Sequence, residues 1–157
     1  MRILITGGGG FLGQSLARAL LARGGLASEP NAPAQLTDLV LFDQAFPAQR
    51  LEDRRVAYVT GDLLDRTLVD RACACEPDAV FHLASVVSAG AEADFDLGLR
   101  VNLDGMRTLL EACRVQKAPP RIVFPSSVAA FGGELPDTVI DTTAPTPQRY
   151  SWKRNRT

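Results

Sequence analysis

Five glycines crowd the run Thr6-Gly-Gly-Gly-Gly-Phe-Leu-Gly13. Gly8, Gly10 and Gly13 fit a G-x-G-x-x-G spacing, and Gly7, Gly10 and Gly13 fit G-x-x-G-x-x-G. A turn this tight needs positive φ, and a pyrophosphate can approach the main chain only where Cβ atoms are absent. Arg2–Thr6, the apolar run before the turn, reads as a buried parallel strand. Behind the turn, Phe11, Leu12, Leu16, Ala19 and Leu20 recur at helical spacing, which predicts a helix over Phe11–Arg23. The start of that helix would aim unpaired N–H groups and the positive end of its dipole at the phosphate. Strand, glycine turn and helix in this order form the context that a dinucleotide-binding turn requires.

Further polar side chains follow apolar runs, so a parallel sheet would bring them to the same rim. Leu39-Val-Leu-Phe42 predicts the second strand and ends in Asp43. An acid at this place in a dinucleotide fold accepts hydrogen bonds from the adenosine ribose hydroxyls. Asp43 stands 30 residues beyond Gly13, where about 20 is usual. The polar Gly24–Thr37 stretch, read as a surface loop, accounts for the excess. A carboxylate there would repel the extra phosphate of NADP, and no arginine follows directly to receive it, so NAD is favoured. A solvated strand-end acid is the plain alternative.

Val56–Val59 predicts a third strand, after which Asp62 either faces a ligand or caps a helix over Leu64–Cys75. Ala79–Ala84 predicts the fourth strand, and Ser85 leaves it. His82, inside that run, reads as a buried histidine with a backbone partner rather than a general base or metal ligand. Glu92–Lys117 reads as one long helix, stopped by Pro119-Pro120. Asn102, a poor helix former in its middle, implies a hydrogen-bonding task toward backbone or ligand. Arg121–Phe124 predicts the fifth strand, followed by the hydroxyls of Ser126 and Ser127. Gly132–Thr157 is loop-like, and there is no internal repeat. Five strands alternating with helices predict an α/β fold, a doubly wound parallel, Rossmann-like sheet with right-handed crossovers.

The totals agree with such a domain. A chain of 157 residues can bury about 70% of its unfolded surface, and 46% apolar with 22% charged residues is ordinary globular composition. The net charge of −1 supplies no general pull toward nucleic acid or anionic membrane. No apolar run reaches membrane-spanning length and the amino terminus lacks a signal-peptide layout, which predicts a cytoplasmic protein. Cys73, Cys75 and Cys113 form no CxxC pair and read as small apolar residues, with neither a disulfide nor a metal site implied.

Six motifs in order resemble the extended short-chain dehydrogenase/reductases, the superfamily of NAD-dependent nucleotide-sugar epimerases and dehydratases. They are Thr6–Gly13, Asp43, Gly61-Asp-Leu63, His82-Leu-Ala-Ser85, Val101-Asn-Leu-Asp-Gly105 and Ser126-Ser127. Within that superfamily, Ala91–Gly105 is most similar to the D-erythronate dehydrogenase branch, which oxidises small acid sugars with NAD. The resemblance runs from Met1 to about Gln148. It implies that Gly7, Gly10, Phe11, Leu12 and Gly13 hold the pyrophosphate, Asp43 the adenosine ribose, and Asp62 with Leu63 the adenine. It further implies that Leu83, Ala84, Ser85 and Asn102 line the rest of the groove and that Ser127 is the catalytic serine. A small-molecule substrate follows from it.

The same resemblance exposes departures. Pro125 stands where the family usually carries Thr or Ser, and Phe131 where it often carries Tyr. The family's chemistry uses a Tyr-x-x-x-Lys pair, because a nearby cation must stabilise a phenolate whose free pKa is about 10. The family's spacing from Ser127 puts this pair near positions 151 and 155, which are Ser151 and Asn155; Tyr150 and Lys153 are out of register, with a makeshift pair as the alternative because a spacing of three can still share a helix face. The expectation is therefore a dinucleotide-binding domain over residues 1–148 and a disordered tail outside the family pattern over 149–157. Relatives continue for about as long again, so the chain is expected to lack the outer strands and substrate domain, binding NAD with little or no turnover. A nucleotide-sugar epimerase or dehydratase, or a non-catalytic NAD-binding module, are the alternatives. Self-association through the fifth-strand edge or the Glu92 helix, giving a homo-oligomer, is a further expectation.

Overall fold

A computed structural model describes residues 1–29 and 32–126. The predicted boundary at 148, together with Ser127, Phe131, Tyr150 and Lys153, lies outside the described residues.

Strands β1 (Arg2–Thr6), β4 (Asp38–Asp43), β5 (Val56–Thr60), β6 (Ala79–His82) and β7 (Arg121–Val123) form one sheet in the order β5-β4-β1-β6-β7, all parallel. In β1 the side chains alternate between faces. Ile3 and Ile5 pack with Leu39 and Leu41 of β4 and with Ala17 and Leu20 of helix α1 (Phe11–Arg23). Leu4 turns the other way, to Val40, Phe42 and Val80, beneath helices α2 (Arg66–Cys73) and α5 (Met106–Arg114). A parallel sheet covered on both faces requires near-continuous apolar strands, which is why the strand runs could be read from sequence. The five-stranded, doubly wound, Rossmann-like expectation is borne out. Met1–Phe124 forms one compact unit, and a second begins at Pro125.

Several expectations fail. Gly24–Thr37 holds an antiparallel pair, β2 (Gly25–Glu29) and β3 (Ala32–Gln35), instead of an irregular loop. The long helix over Glu92–Lys117 is broken into α3 (Ser88–Ala93), α4 (Phe95–Leu99), a π-helical turn (Arg100–Gly105) and α5. Asp94 causes the first break: its φ of −137° is extended, and its carboxylate caps α4 by accepting the Leu97 amide at 2.9 Å. Helix α2 also begins later than expected, because Asp65 rather than Asp62 caps it, accepting from the Thr67 and Leu68 amides. Strands β6 and β7 end two residues and one residue short of the expected runs.

Candidate functional site

Parallel strands deliver their carboxyl ends to one rim, and a cavity of about 330 Å³ opens there. Gly7, Gly10, Asp43, Gln44, Asp62 and Leu63 line one wall; Leu83, Ala84, Ser85, Val86, Leu97 and Val101 line the other. Eight of the sequence-predicted cofactor residues are thus brought together: Gly7, Gly10, Asp43, Asp62, Leu63, Leu83, Ala84 and Ser85. Phe11, Leu12, Gly13 and Asn102 are outside the lining. Ser127 falls outside the described residues.

The glycine turn is compressed by its own chain. Gly7 has φ +72°, and a Cβ on it would lie 2.7 Å from the Ala84 nitrogen. A Cβ on Gly13 would lie 2.1 Å from the Gly7 carbonyl oxygen, and one on Gly9 would lie 2.0 Å from the Ala45 carbonyl oxygen. Gly10 differs. Its φ of −75° and ψ of 171° suit any residue, and the nearest atom to an added Cβ is the Gly7 oxygen at 3.4 Å. Within the protein, then, Gly10 alone in this turn could carry a methyl group, and Gly10 faces the cavity.

The amides of the turn are divided in the same way. Gly8 donates to the Phe42 carbonyl at 3.0 Å, Gly9 to Asp43 Oδ2 at 2.9 Å and Gly10 to the Gly7 carbonyl at 3.2 Å. These three are used internally. Among the described residues no group accepts the amides of Phe11, Leu12 or Gly13, so the free donors are the first three of α1, at the positive end of its dipole. The side chains of Phe11 and Leu12 point to solvent, 86% and 62% exposed, leaving main chain as what they could offer a ligand.

At the next strand end, Asp43 also accepts the Gln44 amide at 2.7 Å on Oδ1, so each of its oxygens holds one N–H and keeps a free lone pair. Asp62 accepts the Leu64 amide at 2.9 Å and the Gln44 side-chain amide at 3.1 Å. The even choice left for Asp62 is resolved against capping α2. Gln44, which bridges the two acids, was missed by sequence reasoning, although the strand-end rule that singled out Asp43 points equally to its successor. Arg50, the first cation after Asp43, lies over the Phe46 and Tyr58 rings at 5.6 and 4.7 Å.

The opposite wall, Leu83–Val87, links β6 to α3 without regular secondary structure. The Leu83 amide bonds the Thr6 carbonyl at 3.0 Å. Asn102 bonds both main-chain groups of Val86, accepting its N–H at 2.8 Å and donating to its carbonyl at 3.0 Å. The hydrogen-bonding task read for Asn102 is therefore discharged toward backbone. Asn102 itself is exposed and supports the groove through Val86. His82 is buried as expected, but its partner is a side chain, Thr6 Oγ1 at 2.6 Å from Nδ1, with Phe124 stacked on its ring. Burial holds its pKa below the usual histidine value. Cys73 and Cys113 are free thiols in the core between α2 and α5. Hydrogen bonding to the Cys113 thiol, together with burial, pushes the Cys73 pKa up, which keeps it unreactive. Among the described residues no three His, Cys, Asp or Glu side chains gather as a metal site, and no helix is long and apolar enough to cross a membrane.

A doubly wound parallel sheet, a ligandable rim at its carboxyl edge and free amides at the start of α1 define the dinucleotide-binding class of α/β proteins. Residues 3–154 match the NAD dependent epimerase/dehydratase family, and the chain belongs to it. It is 54% identical over 148 residues to a D-erythronate dehydrogenase of Cupriavidus necator, covering 94% of this chain and 45% of that protein. A Haemophilus influenzae D-erythronate dehydrogenase is 44% identical, with 94% and 44% covered. The chain thus spans under half the length of these relatives. Among solved structures, it resembles UDP-glucose 4-epimerase of Thermus thermophilus in complex with NAD, at TM-score 0.69 and 34% identity over 93% of this chain and 44% of that one.

Proposed function

We infer that this chain is the dinucleotide-binding part of an NAD-dependent dehydrogenase acting on a small acid sugar. Gly10 carries the reading. A residue with ordinary dihedrals and room for a methyl group has no packing reason to be glycine, whereas a pyrophosphate lying against the turn would fill that room. Phe11, Leu12 and Gly13 would donate their amides to the phosphates. Asp43 would accept the adenosine ribose hydroxyls, and Asp62 with Leu63 would bound the adenine. Leu83, Ala84 and Ser85, with Val86 held by Asn102, would form the wall toward the nicotinamide. The carboxylate of Asp43 disfavours a ribose phosphate, and Arg50, the first cation to follow it in sequence, lies over the Phe46 and Tyr58 rings, so NAD is preferred to NADP.

NAD supplies a hydride acceptor when bound. Ser127 would hydrogen-bond the substrate's reacting oxygen. Ser151 and Asn155, at the positions where family spacing puts the tyrosine and lysine, leave no activated proton acceptor. The chain as it stands would therefore bind NAD with little or no turnover, from a domain spanning residues 1–148. Calorimetric titration is expected to give saturable NAD binding, weaker NADP binding and loss of NAD binding in Gly10→Ala. Wild-type protein that is folded but binds neither nucleotide would exclude the reading, and D-erythronate-dependent NAD reduction at ordinary enzymatic rates would exclude the impaired site.

A nucleotide-sugar epimerase is the second reading, favoured by the likeness to the Thermus structure; UDP-glucose binding to the NAD-loaded chain would support it. Free thiols at Cys73, Cys75 and Cys113 accord with a cytoplasmic location, which cell fractionation checks. Self-association is proposed through the exposed apolar stripe of Phe95, Leu99 and Leu103. Sedimentation is expected to show an oligomer that Leu103→Glu dissociates, and a monomeric wild type at high concentration would exclude it.

A further inference from the structure

The peptide unit joining Gly8 to Gly9 is gripped at both ends. Its carbonyl oxygen accepts the side-chain amide of Gln14 at 2.6 Å, and its N–H donates to Asp43 Oδ2 at 2.9 Å. Such a unit lies between two residues without Cβ atoms, so rotating the whole plane by half a turn meets little steric opposition from its own side chains. In the flipped arrangement the Gly8 oxygen would face the Asp43 carboxylate, on the cavity side, and the Gly9 N–H would face Gln14. The observed orientation therefore depends on the two partners having opposite polarity, a donor at position 14 and an acceptor at position 43.

Gln14 is unusual for a surface-helix residue. It sits in the first turn of α1 yet is only 6% exposed, and its Oε1 is buried without a hydrogen-bond partner. Leaving a buried polar atom unpaired is destabilising, so an apolar residue would pack here at lower cost if packing were the whole task. What Gln14 provides is a donor to a carbonyl that would otherwise be buried and unsatisfied. The Gly8 amide is fixed to Phe42 at 3.0 Å, which leaves the Gly8–Gly9 plane as the part of the turn still free to rotate.

We propose that Gln14 is a positioning residue for dinucleotide binding: with Asp43 it holds the Gly8–Gly9 peptide in the one orientation that keeps the carbonyl oxygen away from the incoming phosphates and ribose. This rests on the reading of the cavity as an NAD site. Gln14 touches no part of the ligand. It acts on affinity by removing a competing backbone state, so the loss on deleting its amide equals the population lost to the flipped plane.

Amide hydrogen exchange on the 157-residue chain tests the grip without any substitution. The Gly9 amide is expected to exchange at least about tenfold more slowly than those of Phe11 and Leu12, and equal rates would overturn the proposal. Gln14→Met, similar in volume but without the donor, is expected to keep the fold, to speed Gly9 exchange about tenfold and to weaken NAD and ADP-ribose binding about tenfold. Gln14→Glu should act in the same direction and more strongly, because a carboxylate repels the Gly8 oxygen and attracts the Gly9 N–H. A folded Gln14→Met with unchanged exchange and affinity refutes the inference, as does a Gln14→Glu that binds NAD better than Gln14→Met. Wild-type protein that protects Gly9 but does not bind NAD would sink the functional reading and keep the grip, so the two failures are distinguishable.

Discussion

On one side of the cavity, Gly7–Gly13 is held by three internal amide bonds and by main-chain approaches with no space for a Cβ. On the other side, Leu83–Val87 has no regular hydrogen-bond ladder; among the described residues it is tied by the Leu83 amide to Thr6, by the two bonds of Asn102 to Val86 and by the Val87 carbonyl, which accepts the Gly90 and Ala91 amides of α3. The first wall is fixed mainly by the close approach of its own main chain, with the Gly8–Gly9 peptide oriented by the side chains of Gln14 and Asp43. The second is held at its middle by one exposed asparagine and at its end by the first turn of α3, where Val87 is 71% exposed. On the proposed placement of NAD, that asymmetry would hold the adenosine end more firmly than the nicotinamide end.

The sharpest test of the contrast is Gly13→Ala. A methyl group 2.1 Å from the Gly7 oxygen must push the turn apart, and a loss of about 3 kcal/mol is expected, seen as a melting temperature lowered by roughly 6–12 °C. A change below about 1 kcal/mol would show that the turn yields easily and would erase the distinction between the walls. Asn102→Ala comes next. Removing both bonds to Val86 is expected to cost about 2 kcal/mol and to weaken NAD binding while adenosine binding, which the proposed placement assigns to the first wall, stays unchanged. Equal losses for NAD and adenosine would mean the walls are not independent. The smallest stability effect is expected for Gly10→Ala, within about 1 kcal/mol for an alanine at a helix N-cap, although its NAD binding is lost. Destabilisation of Gly10→Ala equal to that of Gly13→Ala would remove the argument that Gly10 answers to a ligand.

What the sequence disclosed follows the same division. The strands and α1 were legible because a sheet covered on both faces leaves no choice but continuous apolar runs, and because the glycines stand beside them in sequence. Asp43 and Asp62 were legible from their place at strand ends. The two-stranded ribbon of β2 and β3 was not, since a polar stretch containing Pro33 carries no alternation. The break at Asp94 was hidden because the apolar period continues across it, and a cap differs from a helix-interior aspartate only in its backbone dihedrals. Asn102 declared that it needed a partner, but that partner, Val86, lies 16 residues earlier and is chosen by the tertiary fold. Gln14 gave no sign, because a polar residue in the first helical turn normally faces water.

The crowding inside the glycine turn bears on how such motifs age. A lineage that ceased to bind the coenzyme would still be compelled by its own packing to keep Gly7, Gly8, Gly9 and Gly13, while Gly10 became free to drift. In a degenerate descendant of this fold, four of these glycines testify to architecture, and the identity of the residue at position 10 is the better witness to whether the site is still in use.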